Sequence, residues 1–436
     1  MSVILPSSVN YRETLPALPE GVQSINVATS PVNGQIFSSG QQIIFDFLNR
    51  GMLVPDSIYI SYTYTNTKTD ATHVTSLIGC PVYSSFSRVD VQIGSMTVES
   101  INNYNILMNM LSNLTLSVSD KYGLQTAFGY RGPTNTPNEP DTPSLEQFDG
   151  AVWQAGLGPT QTGSFSAPLM TMISNSEKML PLFAMPQLRL ILTVDSIENM
   201  FLYTGVLTSQ KPANWQLSNV ELRYKVVDMG GNVEEIIRGM GEKIYIKSQS
   251  FATSSNTLNG GTPAGSYELI YNMRFASIKS LFAIMGNGIG NKQFDSVDLS
   301  NSTGDYYFIV GGQNYPQKPL SARTNKAGIL QELRQAIGSI YDKNNSLSIN
   351  TLEFGRSTTA ADTTIHTPGK FYVGVSVEKI NSNSLLTGIS TQNSPLSFRI
   401  STGGSIGANA STITLCVNYD ALIEVDLVNR QCSVKT

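Results

Sequence analysis

The run Gly403-Gly404-Ser405-Ile406-Gly407 has the letters of a nucleophile elbow, the strand-to-helix turn that presents a serine to an acyl carbon. A hydrolase of that class carries its histidine after the serine, and the two histidines of this chain, His73 and His366, both precede it. A plain turn is expected. Gly286-Asn287-Gly288-Ile289-Gly290 follows a strand pattern and mimics a phosphate loop, but Asn291-Lys292-Gln293-Phe294-Asp295 does not begin a helix whose dipole could face a phosphate. A hairpin tip is expected. Asp295, Asp298 and Asp305 offer oxygens to a calcium ion but fit a solvated loop as well, and the paired Glu234-Glu235 sits at a helix start where acids favour the macrodipole. The histidines and Cys80, Cys416 and Cys432 show no metal-ligand spacing. Asn113-Leu114-Thr115, Asn301-Ser302-Thr303 and Asn409-Ala410-Ser411 are glycosylation sequons, relevant only to a secreted chain. The expectation is no catalytic, cofactor-binding or metal site, and no enzyme.

The composition points the same way. Only 14% of the 436 residues are charged, the net charge is −4, and no block of Lys or Arg occurs. Bulk attraction to phosphate backbones is therefore not expected. Three scattered cysteines specify no disulfide framework, which suggests a reducing compartment. The opening MSVILPSSVNYRET has no basic segment before an apolar one, so no secretory signal is expected. No apolar run is long enough for a membrane span.

These groups would have to be positioned mostly by strands. Ile43-Ile44-Phe45-Asp46-Phe47, residues 58–64, 89–93, 188–194 and 220–226 are short, rich in β-branched and aromatic residues, and mostly alternate with period two. Two segments have helical spacing. Ile101, Tyr104, Leu107, Met108, Met110, Leu111 and Leu114 form one stripe; Ile329, Leu330, Leu333, Ala336, Ile337 and Ile340 form another, with Asn325 or Thr324 as its N-cap. Met108 and Met110 read as core packing rather than a binding groove. A third, shorter helix is expected over residues 233–240.

The order of these elements repeats. Residues 40–62 can be laid over 265–286, and the strand-glycine-helix run 89–114 over 306–337. Such a period means two similar domains rather than an array. The expected division is an extended arm at 1–34, a first domain at 35–230, a linker helix at 231–242 and a second domain at 243–436. Deleting residues 1–30 is expected to leave both domains folded. Residues 129–162 and 342–368 read as large excursions, too long for turns.

Six runs carry a resemblance: FLNRGMLVPDSIYISYTY, FSRVDVQIGSMTVESINNYNILMNML, KMLPLFAMPQLRLILTV, LSNVELRYKVV, NMRFASIKSLFAI and YYFIVGGQNYPQKPL. In this order they resemble the double jelly-roll major capsid proteins of Polinton-like viruses and virophages, within the double-stranded DNA virus lineage. The resemblance implies an all-β chain of two tandem eight-stranded antiparallel jelly rolls with a few short flanking helices. It further implies a homotrimer forming a pseudo-hexagonal capsomer in an icosahedral shell, with penton and minor capsid proteins as further partners and the virion as its location. A rival reading is a glycan-binding β-sandwich spike or adhesin with Tyr130 or Trp153 as sugar platforms. Another is a sandwich glycosidase, which needs two carboxylates in one cleft.

Overall fold

The computed structural model describes residues 21–67, 75–77, 79–130, 162–203, 215–239, 241–286, 294, 296–300, 304–338, 349, 354–355, 369–380, 386–406 and 410–436. The first half opens with β1 (Gln23–Thr29), β2 (Ile36–Phe37), β3 (Gln42–Asp46), β4 (Met52–Asn66), β5 (Thr75–Leu77) and helix α1 (Pro81–Ser84). The hairpin β6 (Phe86–Ile93) and β7 (Met96–Asn102) leads into α2 (Tyr104–Thr115), α3 (Val118–Gly123) and α4 (Gln125–Phe128). There follow β8 (Thr162–Pro168), β9 (Leu180–Pro181), β10 (Leu188–Val194), α5 (Ile197–Met200), β11 (Phe201–Tyr203) and β12 (Trp215–Asp228). Helix α6 (Gly231–Gly239) crosses to the second half.

That half contains β13 (Lys243–Leu258), β14 (Gly265–Tyr271), β15 (Ile278–Met285), β16 (Asp305–Val310), β17 (Gln313–Ser321) and α7 (Lys326–Ala336). It closes with β18 (Tyr372–Ser376), β19 (Leu396–Thr402), β20 (Ser411–Asp426) and β21 (Gln431–Lys435).

The strands stack in two sandwiches of the same topology. In the first, a sheet ordered β1-β12-β4-β8 faces one ordered β3-β10-β6-β7; in the second, β13-β20-β15-β18 faces β14-β19-β16-β17. Each of the eight strands in these two sheets thus has a counterpart in the other half, and α2 and α7 follow equivalent hairpins. Each sandwich is an eight-stranded antiparallel jelly roll, as the resemblance implied. Alternation places aromatic rings between the sheets: Tyr62 lies between Phe86 and Phe165, with ring centroids 5.5 and 5.4 Å away. In the second roll Tyr306 lies between Phe371 and Phe398, at 5.7 and 6.0 Å. Each such ring stabilises the fold by roughly 1.5–3 kcal/mol relative to exposure.

Two expectations are corrected. Part of the presumed arm is β1, which pairs with β12 from Gln23↔Asp228 to Thr29↔Leu222 and supplies the counterpart of β13. A deletion through residue 30 therefore removes a strand of the first roll. Its apolar signal is too brief to read, because among seven residues only Ile25 and Val27 are large and apolar. Ile101, assigned to the first helix, instead closes β7 opposite Val89, and α2 starts at Tyr104. Residues 1–20 and most of the two long excursions lie outside the described residues.

Gly51, at the turn into β4, has φ +69°, and an added Cβ would sit 2.7 Å from Val226 Cγ1 and 2.9 Å from the Val227 carbonyl oxygen. Only glycine fits both constraints. Gly51→Ala is expected to lower stability by about 1–3 kcal/mol, with the fold retained, in a denaturant titration. An unchanged midpoint would contradict the observed close approach.

Candidate assembly surfaces

The two rolls meet along a polar seam. The first roll contributes β7, α2 and the segment after β8; the second contributes β13 and the outer face of its β20 sheet. Glu99 on β7 is 3% exposed and accepts hydrogen bonds from the Ser250 hydroxyl of β13 and from the Met172 N–H at 2.9 Å. Ser248 donates to the Met172 carbonyl at 2.5 Å, and Glu177 N–H donates to the Lys247 carbonyl at 3.0 Å. Thr253 donates to the Asn102 carbonyl, and Asn103 Nδ2 donates to Ser255 Oγ at 2.9 Å. Asn103 holds φ +48°, a conformation asparagine tolerates, and points its amide across the seam instead of capping α2.

Helix α2 is buried nearly all round because the second roll covers the face that would otherwise meet water. Asn109 Nδ2 donates to the Phe294 carbonyl at 3.3 Å, and Asn113 Nδ2 to the Tyr372 hydroxyl at 3.1 Å. Asn105 serves its own roll, donating to Asp195 Oδ2 at 2.6 Å. These asparagines recur every four residues, a polar stripe within an otherwise apolar helix that sequence reasoning passed over. Helix α7 differs. It buries only Ile329 and Leu333, and an added Cβ at Gly374 would meet Leu333 Cδ1 at 2.8 Å and Phe282 Cδ1 at 2.9 Å.

Among the described residues, the candidates drawn from sequence do not converge on a reaction centre. Asp298 is fully buried, accepts from Tyr306 at 2.6 Å and Ser300 Oγ at 2.6 Å, and pairs with Lys326 at 3.3 Å. Asp305 is at the start of β16, and Asp295 lies outside the described residues. Glu234 is in the first turn of α6, and Met108 and Met110 are buried in the core. Gly403 and Gly404 form a bend after β19, Ser405 and Ile406 follow as irregular chain, and Gly407 lies outside the described residues. His73, His366, Trp153 and residues 287–290 also lie outside them.

Among the described residues no group of three or more His, Cys, Asp or Glu is disposed to hold a metal. Cys80 and Cys416 are buried and Cys432 is partly so, all as free thiols; burial pushes Cys80 up to about 11 and Cys432 up to about 12.

Two further readings are corrected by burial. Tyr130 is 5% exposed and its hydroxyl contacts Cys80 Sγ at 2.9 Å, so it presents no platform to a sugar. Asn113 is inside the seam and cannot accept a glycan in the folded chain. A cleft of about 490 Å³ lies against β1, β4 and β12 and is lined by Asn26, Val27, Ala28, Asp56, Ser57, Tyr59, Arg223, Tyr224 and Lys225. It holds a single carboxylate, so the two-carboxylate chemistry of a glycosidase has no second group there.

No protein-family model and no curated protein matches the chain. Solved structures do. The Faustovirus major capsid protein superposes with a TM-score of 0.64 at 9% identity, covering 97% of this chain and 93% of its own. The PBCV-1 Vp54 structure fitted into a reconstruction of the virophage Sputnik gives 0.59 at 11% identity, with 97% and 99% covered. The mavirus major capsid protein gives 0.52 at 10% identity, with 100% and 95% covered. The likeness is one of fold, and it extends over both rolls: the fold is a double jelly roll.

Burial raises the Glu99 carboxyl from its ordinary 4.5 to about 7; hydrogen bonds from Ser250 and Met172 oppose the shift and the nearby Asp90 adds to it. The folded chain thus keeps a proton that the unfolded chain releases between those values. Stability conferred by this group therefore falls as pH rises from about 4.5 to about 7, by roughly 3 kcal/mol in all, and levels off above. Glu99→Gln is expected to flatten that slope relative to the parent in thermal unfolding followed from pH 5 to pH 8. Parallel pH profiles for parent and variant would refute the assignment.

Proposed function

We propose that this protein is the major capsid subunit of an icosahedral virus, with a structural role and no catalysis. The observation that carries the reading is the pair of jelly rolls with matching strand order, packed side by side over the full length that capsid proteins such as those of Faustovirus and mavirus share with it. Three copies would place six similar sandwiches in a ring, so that one gene product offers near-equivalent edges to a hexagonal lattice. The rolls divide at α6, the virion is the location, and penton and minor capsid proteins are the further partners. Buried, unpaired thiols are compatible with assembly in a reducing compartment.

Purified protein is expected to sediment as a trimer at micromolar concentration and to show pseudo-hexagonal particles in electron micrographs. The trimer interface is expected to exceed the ~1,600 Å² of a standard protein interface. A chain that stays monomeric, including under shell-forming conditions, would sink this reading.

The same proposal separates the shell from genome condensation. With 28 basic and 32 acidic residues, the chain lacks the excess cation that releases counterions from DNA. The trimer is expected to show no binding of duplex DNA at ~150 mM salt, where non-specific binders have dissociation constants of ~10⁻⁴ to 10⁻⁶ M. Micromolar binding with a steep salt slope would reveal a folded basic patch and count against it.

A further inference from the structure

The enclosure of Glu99 is built from both rolls. From the first roll, the Met172 N–H after β8 reaches both carboxyl oxygens at 2.9 Å, and the titratable groups facing Glu99 are Asp90 on β6 and Tyr104 of α2. From the second roll, β13 brings Ser250 Oγ onto Glu99 Oε1, and β20 brings Tyr419, itself stacked on Phe275 at 4.1 Å. The charge that acts on Glu99 is that of another acid, Asp90. Cations in the neighbouring strands are engaged elsewhere: Arg88 of β6 pairs with Asp90 at 2.9 Å, and Lys247 of β13 lies 3.8 Å from each of Glu177 and Asp420.

This enclosure suits a neutral carboxyl. A protonated Glu99 can donate to Ser250 Oγ, whose own hydroxyl has a second acceptor in the Phe251 carbonyl at 3.5 Å, and it still accepts from the Met172 N–H. A carboxylate fares worse, because burial withholds the water it needs and Asp90 opposes its charge. Met172 belongs to the same roll as Glu99 and stays with it, so water reaches the carboxylate where Ser250 and Tyr419 withdraw. The rest of the seam lacks this sensitivity. Ser248, Thr253, Asn103, Asn109 and Asn113 cross it with hydroxyls and amides, whose bonds do not depend on that proton.

We propose that Glu99 is a proton-operated clasp between the two rolls: the neutral carboxyl closes β7 on β13, and loss of its proton opens the seam locally at Met172, Ser248 and Ser250 while the α2 end stays shut. The clasp lies within one chain and does not depend on assembly. Its direction follows from linkage. The closed seam holds the proton up to about pH 7 and the open seam releases it from about pH 4.5, so opening grows across that interval and levels off above it. Amide hydrogen exchange of the full chain from pH 5 to pH 8, with each rate divided by that of the unfolded chain at the same pH, tests this. The Met172 N–H bonds to Glu99 and the Glu177 N–H to the Lys247 carbonyl across the seam, so both report on closure. Protection over residues 169–178 is expected to fall about tenfold or more between those limits, with α2 and β10 unchanged. Glu99→Gln is expected to hold one level of protection throughout. Equal loss in α2 and β10 would mean that the whole chain loosens and would overturn the proposal, as would a flat profile in the parent or the parent's slope persisting in Glu99→Gln. If Glu99→Gln does not fold, the contrast between residues 169–178 and α2 in the parent decides.

Discussion

The structure depends on the burial of a sheet that has no helix layer of its own to cover it fully. Strands β15 and β20 carry large apolar side chains on both faces, as in Phe282, Ile284 and Cys416 outward and Leu281, Ala283 and Val417 inward. An antiparallel sheet normally leaves one face to water and alternates accordingly. Here the outward face is closed by α7 at one side and by the first roll along the rest, so the second roll is completed by the first rather than merely tethered to it.

The closure is largely polar, and that has a structural consequence. Glu99, Ser248, Ser250, Thr253, Asn103, Asn109 and Asn113 each find a partner across the seam. A buried polar group left without one costs several kcal/mol, whereas an apolar face tolerates sliding. The seam therefore holds the rolls in one register, which suits a subunit whose function is geometric. The perturbed Glu99 carboxyl follows from the same burial: it is the one acid among these groups and carries the desolvation that the amides and hydroxyls avoid.

Duplication supplies the two rolls, and divergence at matched positions gives them different tasks. The helix after the β6-β7 hairpin is buried all round, while the helix after β16-β17 shows a single apolar stripe and exposed Ala327, Gln331 and Gln335.

Sequence periodicity was enough to find β3, β4, β6, β10 and β12, the two matched strand-glycine-helix units and the repeat, because each signal is local and the side-chain period is set by backbone geometry. Asn325 as the cap of α7 was legible for the same reason, and its Oδ1 does accept from Gly328 N–H at 2.8 Å. What only the tertiary structure decided depends on residues far apart in the chain. Strand β1 exists because β12 pairs with it nearly 200 positions later, since seven mostly polar residues do not declare a strand alone. Glu99 reads as an ordinary exposed strand residue until Ser250 and Met172 close over it, and Asn113 reads as a glycan acceptor until Tyr372 does. Burial is a property of what packs against a residue, and no local pattern contains it.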